Sequence, residues 1–338
     1  MKKRFIQAED LFQFRFVASP QISPDGEKVI VPVKVIDSGK NRYLSHLWMI
    51  DVKMAETQQF TFGEVLDSSP LWSPDGKYLA FLRTDLREKQ TQVWLIPAYG
   101  GEARQLTHWE EGSIGELSWS PDGKRLVCSF RRVHPDWTKE ARKKREQEGK
   151  SHPPRIITRI HFRLEGLGFK DLFQHIYLID AHTGETKKIT DGNYEDFSPC
   201  FSPDGKWVFF LSNRSDDPEN KPYEVDIWQV SLDGKKLRKI PTPAGYKSHL
   251  SFSSNGKWLA YIGVETREDP WMPRNARIYA VELQSGIIRC LSEAVDRYVG
   301  NVTLTDMREA FTGGENLVWS EGGDCIYALV SDRGKCNL

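Results

Sequence analysis

The chain has 338 residues, of which 39% are hydrophobic and 28% charged, values typical of a globular protein with a sizeable core. Its 47 basic and 47 acidic residues cancel, so no net field would attract it to nucleic acid or to an anionic membrane. The charged start has no apolar run long enough for a signal peptide, and no later stretch approaches a membrane-spanning length. We therefore expect a cytoplasmic protein that binds neither nucleic acid nor membrane.

The chain opens with residues 1–18, which we predict to be a lead-in segment with a short helix over residues 8–16. Residues 19–338 are predicted to form a β-propeller. Five cysteines are spread along the chain without a C-x-x-C pair, a pattern that indicates reduced thiols in the core rather than zinc or redox chemistry. They are Cys128, Cys200, Cys290, Cys325 and Cys336.

A repeated Ser-Pro-Asp-Gly motif organises the propeller region. Successive motif glycines lie 50, 47, 82, 51 and 67 residues apart, a unit length typical of propeller blades. Pro and Asp suit the centre of a type I turn, and the Gly after them can take a positive φ and close a β-hairpin. Four copies are complete, ending at Gly26, Gly76, Gly123 and Gly205, and two are weaker, ending at Gly256 and Gly323.

The segments after each turn predict the remaining strands of a blade. Runs such as residues 77–82 and 206–211 are apolar on both alternating faces, so they must be covered on two sides. A third strand follows with an aromatic residue at a constant place, and a short fourth strand completes the unit. We predict an all-β propeller of four-stranded WD40-like or TolB-like blades, with inter-blade packing by the repeated aromatics, which are Trp48, Trp94, Tyr177, Trp228 and Tyr279.

The long gap between Gly123 and Gly205 predicts an insertion over about residues 131–170. Residues 131–164 carry eleven Lys and Arg against four Asp and Glu, and residues 139–148 have the composition of a helix. Such a basic stripe could contact nucleic acid or an acidic partner. We favour a solvated helix with compensating charges four residues apart, such as Lys144 with Glu148, because no aromatics are interleaved there.

The repeat stops before its last unit is complete. Five blades are present in full, and residues 335–338 stand where a third strand of the sixth would begin. We therefore expect an incomplete ring whose exposed strand edges favour self-association, and a longer parent protein.

Several stretches resemble the S9 serine peptidases of the acylaminoacyl-peptidase and prolyl-oligopeptidase type. They are Ala-Glu-Asp-Leu at 8–11, the opening repeat at 19–26, and residues 154–161, 166–171 and 212–219. In that family a propeller covers an α/β-hydrolase domain and restricts access to short peptides. The resemblance implies a substrate-gating propeller whose peptide substrates are cleaved by a C-terminal hydrolase domain that this chain lacks.

No residue of the chain is predicted to be catalytic, to bind a cofactor or to bind a metal. The Gly-x-Ser-x-Gly elbow of hydrolases is absent, and the nearest sequence, residues 149–153 around Ser151, lacks the second glycine. No histidines have H-E-x-x-H spacing. Asp216, Asp217 and Glu219 could attract a cation, but a polar turn is the preferred interpretation. Neither Gly-Gly pair, at 313–314 or 322–323, is followed by the Lys-Ser/Thr of a phosphate loop.

Two other functions stay open. A stand-alone TolB-like propeller could bind a protein partner, which would require export and ring closure. Nucleic-acid binding through residues 131–150 is disfavoured by the zero net charge.

Overall fold

The computed structural model describes residues 4–164, 168–265, 274–302 and 317–338. Two compact units are distinguished by their internal contacts. The first contains the described residues up to Thr107 together with Val302, and the second contains residues 108–301 and 317–338. Both are built almost entirely from antiparallel strands, so the predicted all-β fold is confirmed.

The first unit opens with a 3-10 helix, Ala8–Gln13. It is shorter than the predicted helix because Phe16 and Val17 pair with the third strand instead. The nine strands of this unit are β1 (Phe16–Val17), β2 (Gln21–Ile22), β3 (Lys28–Asp37), β4 (Arg42–Asp51), β5 (Thr57–Gln59), β6 (Val65–Trp72), β7 (Tyr78–Asp85), β8 (Gln90–Pro97) and β9 (Arg104–Gln105).

Strands β2–β5 form blade 1 and strands β6–β9 form blade 2. Each blade is an antiparallel meander, as the repeat predicts. One parallel pair, Ser45 with Leu66, joins the two blades into a single hydrogen-bonded sheet. The Ser45 hydroxyl also donates to the Asp67 carbonyl at 2.7 Å, which strengthens this junction.

The second unit contains a 3-10 helix, Pro135–Trp137, and one α-helix, α1 (Lys139–Gln147). No helix of the described residues is long and apolar enough to span a membrane. The strands of this unit are β10 (Gly112–Trp119), β11 (Arg125–Arg132), β12 (Arg163–Leu164), β13 (Gly168–Phe169), β14 (His175–Asp180), β15 (Thr186–Lys188), β16 (Asp196–Phe201), β17 (Trp207–Ser212), β18 (Asp226–Ser231), β19 (Leu237–Ile240), β20 (Gly245–Phe252), β21 (Trp258–Glu265), β22 (Arg277–Glu282), β23 (Ile288–Cys290), β24 (Tyr298–Val299), β25 (Val318–Trp319), β26 (Ile326–Tyr327), β27 (Val330–Asp332) and β28 (Lys335–Asn337).

Three four-stranded sheets form blades 3, 4 and 5. Blade 3 has the order β10-β11-β14-β15, blade 4 contains β16–β19 and blade 5 contains β20–β23. The last strands form two small sheets, β24-β27-β28 and β25-β26. Strand β28 pairs with β27, so residues 335–337 are in strand conformation at the predicted place.

Each repeat turn is held by its own side chains. In blade 4, the Ser202 hydroxyl donates to Asp204 at 2.6 Å and accepts from the Trp207 amide at 3.0 Å. The Ser202 hydroxyl is the main reason that the pKa of Asp204 lies below its usual value. Gly205 has φ +67°, and all six motif glycines lie between +67° and +74°. This is the left-handed region that glycine adopts without strain.

The core lies between neighbouring blades. Leu211 and Ile227 of blade 4 pack in one cluster with Leu259 and Tyr261 of blade 5. A second cluster joins blades 3 and 4, and a third joins blade 5 to the last strands. Both faces of β17, the second strand of blade 4, are covered in this way, which explains why its sequence is apolar on both faces.

The repeated aromatics and the cysteines depart in part from the expected burial. Tyr279 is buried in the core, whereas Trp94 and Trp228 are half-buried and face arginine guanidinium groups at 5.0 and 5.4 Å. The core-thiol prediction is wrong for Cys325, which is exposed beside a hairpin turn. Cys128 is buried, and burial raises the pKa of Cys200 to about 12.

Candidate functional site

The insertion of blade 3 connects β11 to β14 and contains α1 and the short hairpin β12-β13. Helix α1 begins after Thr138, whose hydroxyl accepts from the Ala141 amide at 3.2 Å. The predicted charged helix is therefore confirmed. Its ion pairs differ from the expected ones, because Glu148 pairs with Lys150 at 2.9 Å and Arg145 pairs with Asp136 at 3.0 Å.

Glu195, just before blade 4 begins, holds the insertion in place. Its carboxylate receives the Arg131 guanidinium at 2.9 Å, the Lys170 ammonium at 3.2 Å and a third contact from Arg159. The Gln174 amide also donates to it, at 3.2 Å. One carboxylate thus joins both ends of the insertion to the sheet.

The electrostatics of this anchor follow from its burial. Burial alone would raise the pKa of Glu195, but the hydrogen bond and charge of Arg131, with Lys170 and Arg159, lower it to about 2. Burial lowers the pKa of Lys170, and the charge of Glu195 opposes that shift. Removing one partner of such a network leaves the others uncompensated, which is strongly destabilising.

Two arginines of the resemblance segment 154–161 point inward. Arg155 lies between the rings of Trp137 and Phe169, 4.1 and 3.9 Å from their centroids, and pairs with Asp171. Arg159 lies 4.1 Å from the centroid of the Phe173 ring. Guanidinium groups stack on aromatic faces in this way when they are partly desolvated.

The isoleucines next to these arginines point outward. Ile156 is 81% exposed, Ile157 53% and Ile160 59%. We call these three residues the aliphatic ridge. The arrangement reverses the usual pattern, since the cations are covered and the aliphatic side chains face solvent. Exposed apolar residues that adjoin each other commonly mark a contact surface.

The acidic residues 216–219 do not converge on one point. Asp216 pairs with Lys221 at 2.9 Å, and Asp217 accepts from the side chain of Asn220 at 3.0 Å. Glu219 accepts from the backbone amides of Ile160 and His161, at 2.8 and 3.2 Å. Glu219 therefore fixes the backbone beneath the aliphatic ridge, and in the described parts of the chain no cluster of His, Cys, Asp and Glu could hold a metal ion.

Ser151 lies in an exposed irregular segment after α1 and not at a strand-to-helix turn. The anchor itself was not anticipated from the sequence. A usable signal was present, because eleven cations in one insertion require acidic partners elsewhere when part of the insertion packs on the protein.

The family described as "Dipeptidyl peptidase IV (DPP IV) N-terminal region" matches residues 150–271, which include the aliphatic ridge and blade 4. An uncharacterized peptidase, YuxL of Bacillus subtilis, is 28% identical over 99% of this chain and 50% of its own length. The dipeptidyl-peptidase 5 of Porphyromonas gingivalis is 25% identical over 95% of this chain and 46% of its own length.

Among solved structures, the Pyrococcus horikoshii acylaminoacyl peptidase is similar over 96% of this chain and 44% of that chain, with a TM-score of 0.68 and 16% identity. This similarity concerns the fold. The chain spans about half the length of the curated peptidase relatives that it matches. The resemblance found in the sequence is confirmed: the chain is similar to the N-terminal β-propeller region of S9-type serine peptidases.

Proposed function

We propose that this propeller region gates peptide access to an S9 serine-peptidase domain, and that the insertion of blade 3 forms part of the gate. The proposal rests on the burial pattern of residues 155–160, where the arginines are covered and the isoleucines are exposed. A surface loop without a binding role would expose its charged groups to water and cover its apolar side chains instead.

The anchor gives the ridge a defined position. Glu195 binds side chains from both ends of the insertion, and Glu219 binds the backbone at Ile160 and His161. A surface fixed in this way can select among ligands without the entropic cost of ordering a free loop. Peptide hydrolysis would reside in the hydrolase domain, because the elbow motif is missing from this sequence.

The test is a chimera in which this chain replaces the matched half of the Bacillus subtilis relative. We expect the chimera to cleave a short chromogenic peptide and to leave casein intact, while this chain alone cleaves neither. Equal cleavage of the two substrates by the chimera would contradict gating.

The role of the ridge is tested by Ile157→Asp in the chimera, with Ile287→Asp as the matched control. The two side chains are 53% and 51% exposed, and Ile287 lies in blade 5, away from the insertion sequence. We expect only Ile157→Asp to change the ratio of short-peptide to casein cleavage. If both variants behave alike, the ridge has no part in the gate.

A stand-alone binding module is the second candidate. It is favoured by the TolB protein of Agrobacterium tumefaciens, which resembles this chain over 94% of this chain and 91% of its own, with a TM-score of 0.57 and 19% identity. This candidate predicts that the chimera is inactive although it folds. Circular dichroism and a cooperative thermal transition would establish the folding.

A further inference from the structure

A groove lies between blades 4 and 5, away from the insertion. Its volume is about 850 Å³. The walls combine an aromatic ring, amides and cations from the two blades, contributed chiefly by Trp207, Gln229, Lys235, Lys236, Arg238 and Asn255.

The groove is positively charged. Lys235 and Lys236 are exposed, and the Arg238 guanidinium donates to the side-chain oxygen Oε1 of Gln229 at 3.3 Å, which holds it along the wall. The nearby carboxylates of Asp204 and Asp233 each accept a serine hydroxyl of their own turn, at 2.6 and 2.5 Å. These hydrogen bonds lower the pKa of both carboxylates, so they stay ionised. The groove still has a net positive charge, because Lys235, Lys236 and Arg238 line it against the single carboxylate of Asp204.

The wall also offers an unpaired strand edge. Strand β19 is the outermost strand of blade 4, and among the described residues no other strand pairs along its outer edge. Its first residue, Leu237, is 44% exposed. An extended peptide can add to such an edge by main-chain hydrogen bonds, with side chains filling adjacent pockets.

A matching groove in the first unit serves as an internal comparison. It measures about 440 Å³ and lies beside the outer strands of blade 1. Lys28 holds the place there that Trp207 holds in blade 4, two residues after the turn glycine. Asp51 and Glu56 line it, and Glu56 stands where Lys236 stands in blade 4, directly before the fourth strand. Grooves of this kind thus belong to the blade architecture, and an aromatic residue at the place of Trp207 recurs in blades 2 and 5, as Tyr78 and Trp258. The lysines distinguish the blade 4 groove from the blade 1 groove.

Lysines on an edge strand also protect it against unwanted pairing. That role accounts for Lys239, which pairs with Asp226 at 2.6 Å. It does not account for cations on the turn before the strand. Lys235 and Lys236 lie on that turn, between Gly234 and β19.

We propose that the groove between blades 4 and 5 docks an extended acidic peptide segment. Carboxylates of the peptide pair with Lys235, Lys236 and Arg238, its backbone adds to β19, and an apolar side chain rests on Trp207. Charge complementarity at an exposed rim mainly sets the association rate and the choice of partner. This docking does not rest on the gating function, because it requires no hydrolase domain.

The test measures binding of a fluorescein-labelled acidic decapeptide to the full chain by anisotropy, beside an uncharged peptide of equal length. We expect the acidic peptide to bind more tightly, and binding to weaken with salt. The double variant Lys235→Glu/Lys236→Glu should lower the affinity by at least about tenfold, because attraction becomes repulsion.

The matched control is Lys143→Glu/Lys144→Glu on α1, which changes the net charge equally at two other exposed lysines. It should retain the wild-type affinity. Equal losses in both variants would overturn the groove as the site. Displacement of the peptide by heparin at equal charge concentration would contradict a peptide as the ligand and indicate a general polyanion site. Absence of binding by the folded wild type would overturn the proposal.

Discussion

Blades 2 and 4 carry a buried acidic residue at a position where blade 5 carries a buried lysine. Nine residues before the turn glycine, blades 2 and 4 carry Asp67 and Asp196, and blade 5 carries Lys247. Asp67 and Asp196 are 0% exposed and Lys247 is 1% exposed. A repeated fold therefore tolerates either sign of charge here, provided that the protein supplies compensation.

Side chains compensate the two aspartates. Arg83 donates to both oxygens of Asp67, at 2.7 and 2.8 Å, and stacks on Trp94 of the next strand. Arg214 donates to both oxygens of Asp196, at 2.7 and 2.9 Å, and lies over Trp228. The repeated third-strand tryptophan thus supports an ion pair in both blades.

Backbone compensates the lysine. The Lys247 ammonium donates to the carbonyls of Val225, Pro243 and Gly245, at 3.0, 2.6 and 3.2 Å. Lys247 on β20 pairs with Gly263 on β21. A Cβ atom at position 263 would lie only 2.8 Å from the Tyr246 carbonyl oxygen, so a glycine fits there best. The two arrangements show that a buried charge can be satisfied by one charged partner or by several backbone dipoles.

The largest effect is expected from Arg83→Met, which leaves Asp67 buried without its cation. We predict a loss of about 3–5 kcal/mol in the free energy of unfolding, measured by urea denaturation. Arg42→Met is the control, because Arg42 pairs with Asp37 and Glu64 in a more exposed place and should matter far less. Comparable losses in the two variants would contradict a special role of the buried pair.

The second effect concerns pH. Burial lowers the pKa of Lys247 to about 8, and the charges of Asp226 and Glu265 offset only part of that shift. Lys239 on β19 adds to the lowering, and Tyr261 faces the ammonium at 5.9 Å from its ring centroid.

Between pH 8 and the ordinary lysine pKa, the unfolded chain therefore binds more protons at this residue than the folded chain does. Relative to Lys247→Met, the wild-type free energy of unfolding should rise by up to about 3 kcal/mol across this window. Denaturation curves at several pH values measure the difference. A pH-independent difference would show that the ammonium is not desolvated in the folded state.

The smallest effect is expected from Glu265→Gln. Glu265 occupies in blade 5 the sequence place of Arg214 in blade 4, but it accepts from the Tyr261 hydroxyl at 3.1 Å. The glutamine oxygen can accept the same hydrogen bond, so we predict a change below about 1 kcal/mol. A loss as large as that of Arg83→Met would mean that Glu265, and not the three backbone carbonyls, compensates the charge of Lys247.

The blade fold could be predicted from the sequence, because its causes are local. A turn such as residues 202–207 closes on its own serine, aspartate and glycine, and the strand after it is apolar on both faces. The family resemblance also rests on contiguous stretches such as residues 154–161. These signals need no knowledge of distant residues.

The partners of the buried charges became known only from the three-dimensional structure. Glu195 contacts Arg131, Arg159 and Lys170, which are 64, 36 and 25 residues away in the sequence. The residues around each of them do not indicate which partner it will have. The three carbonyls around Lys247 could not be predicted from the sequence either, because every residue carries a carbonyl and only the fold brings three of them to one ammonium. Long-range electrostatics depends on which segments pack together, and that is settled by the packing of the whole unit.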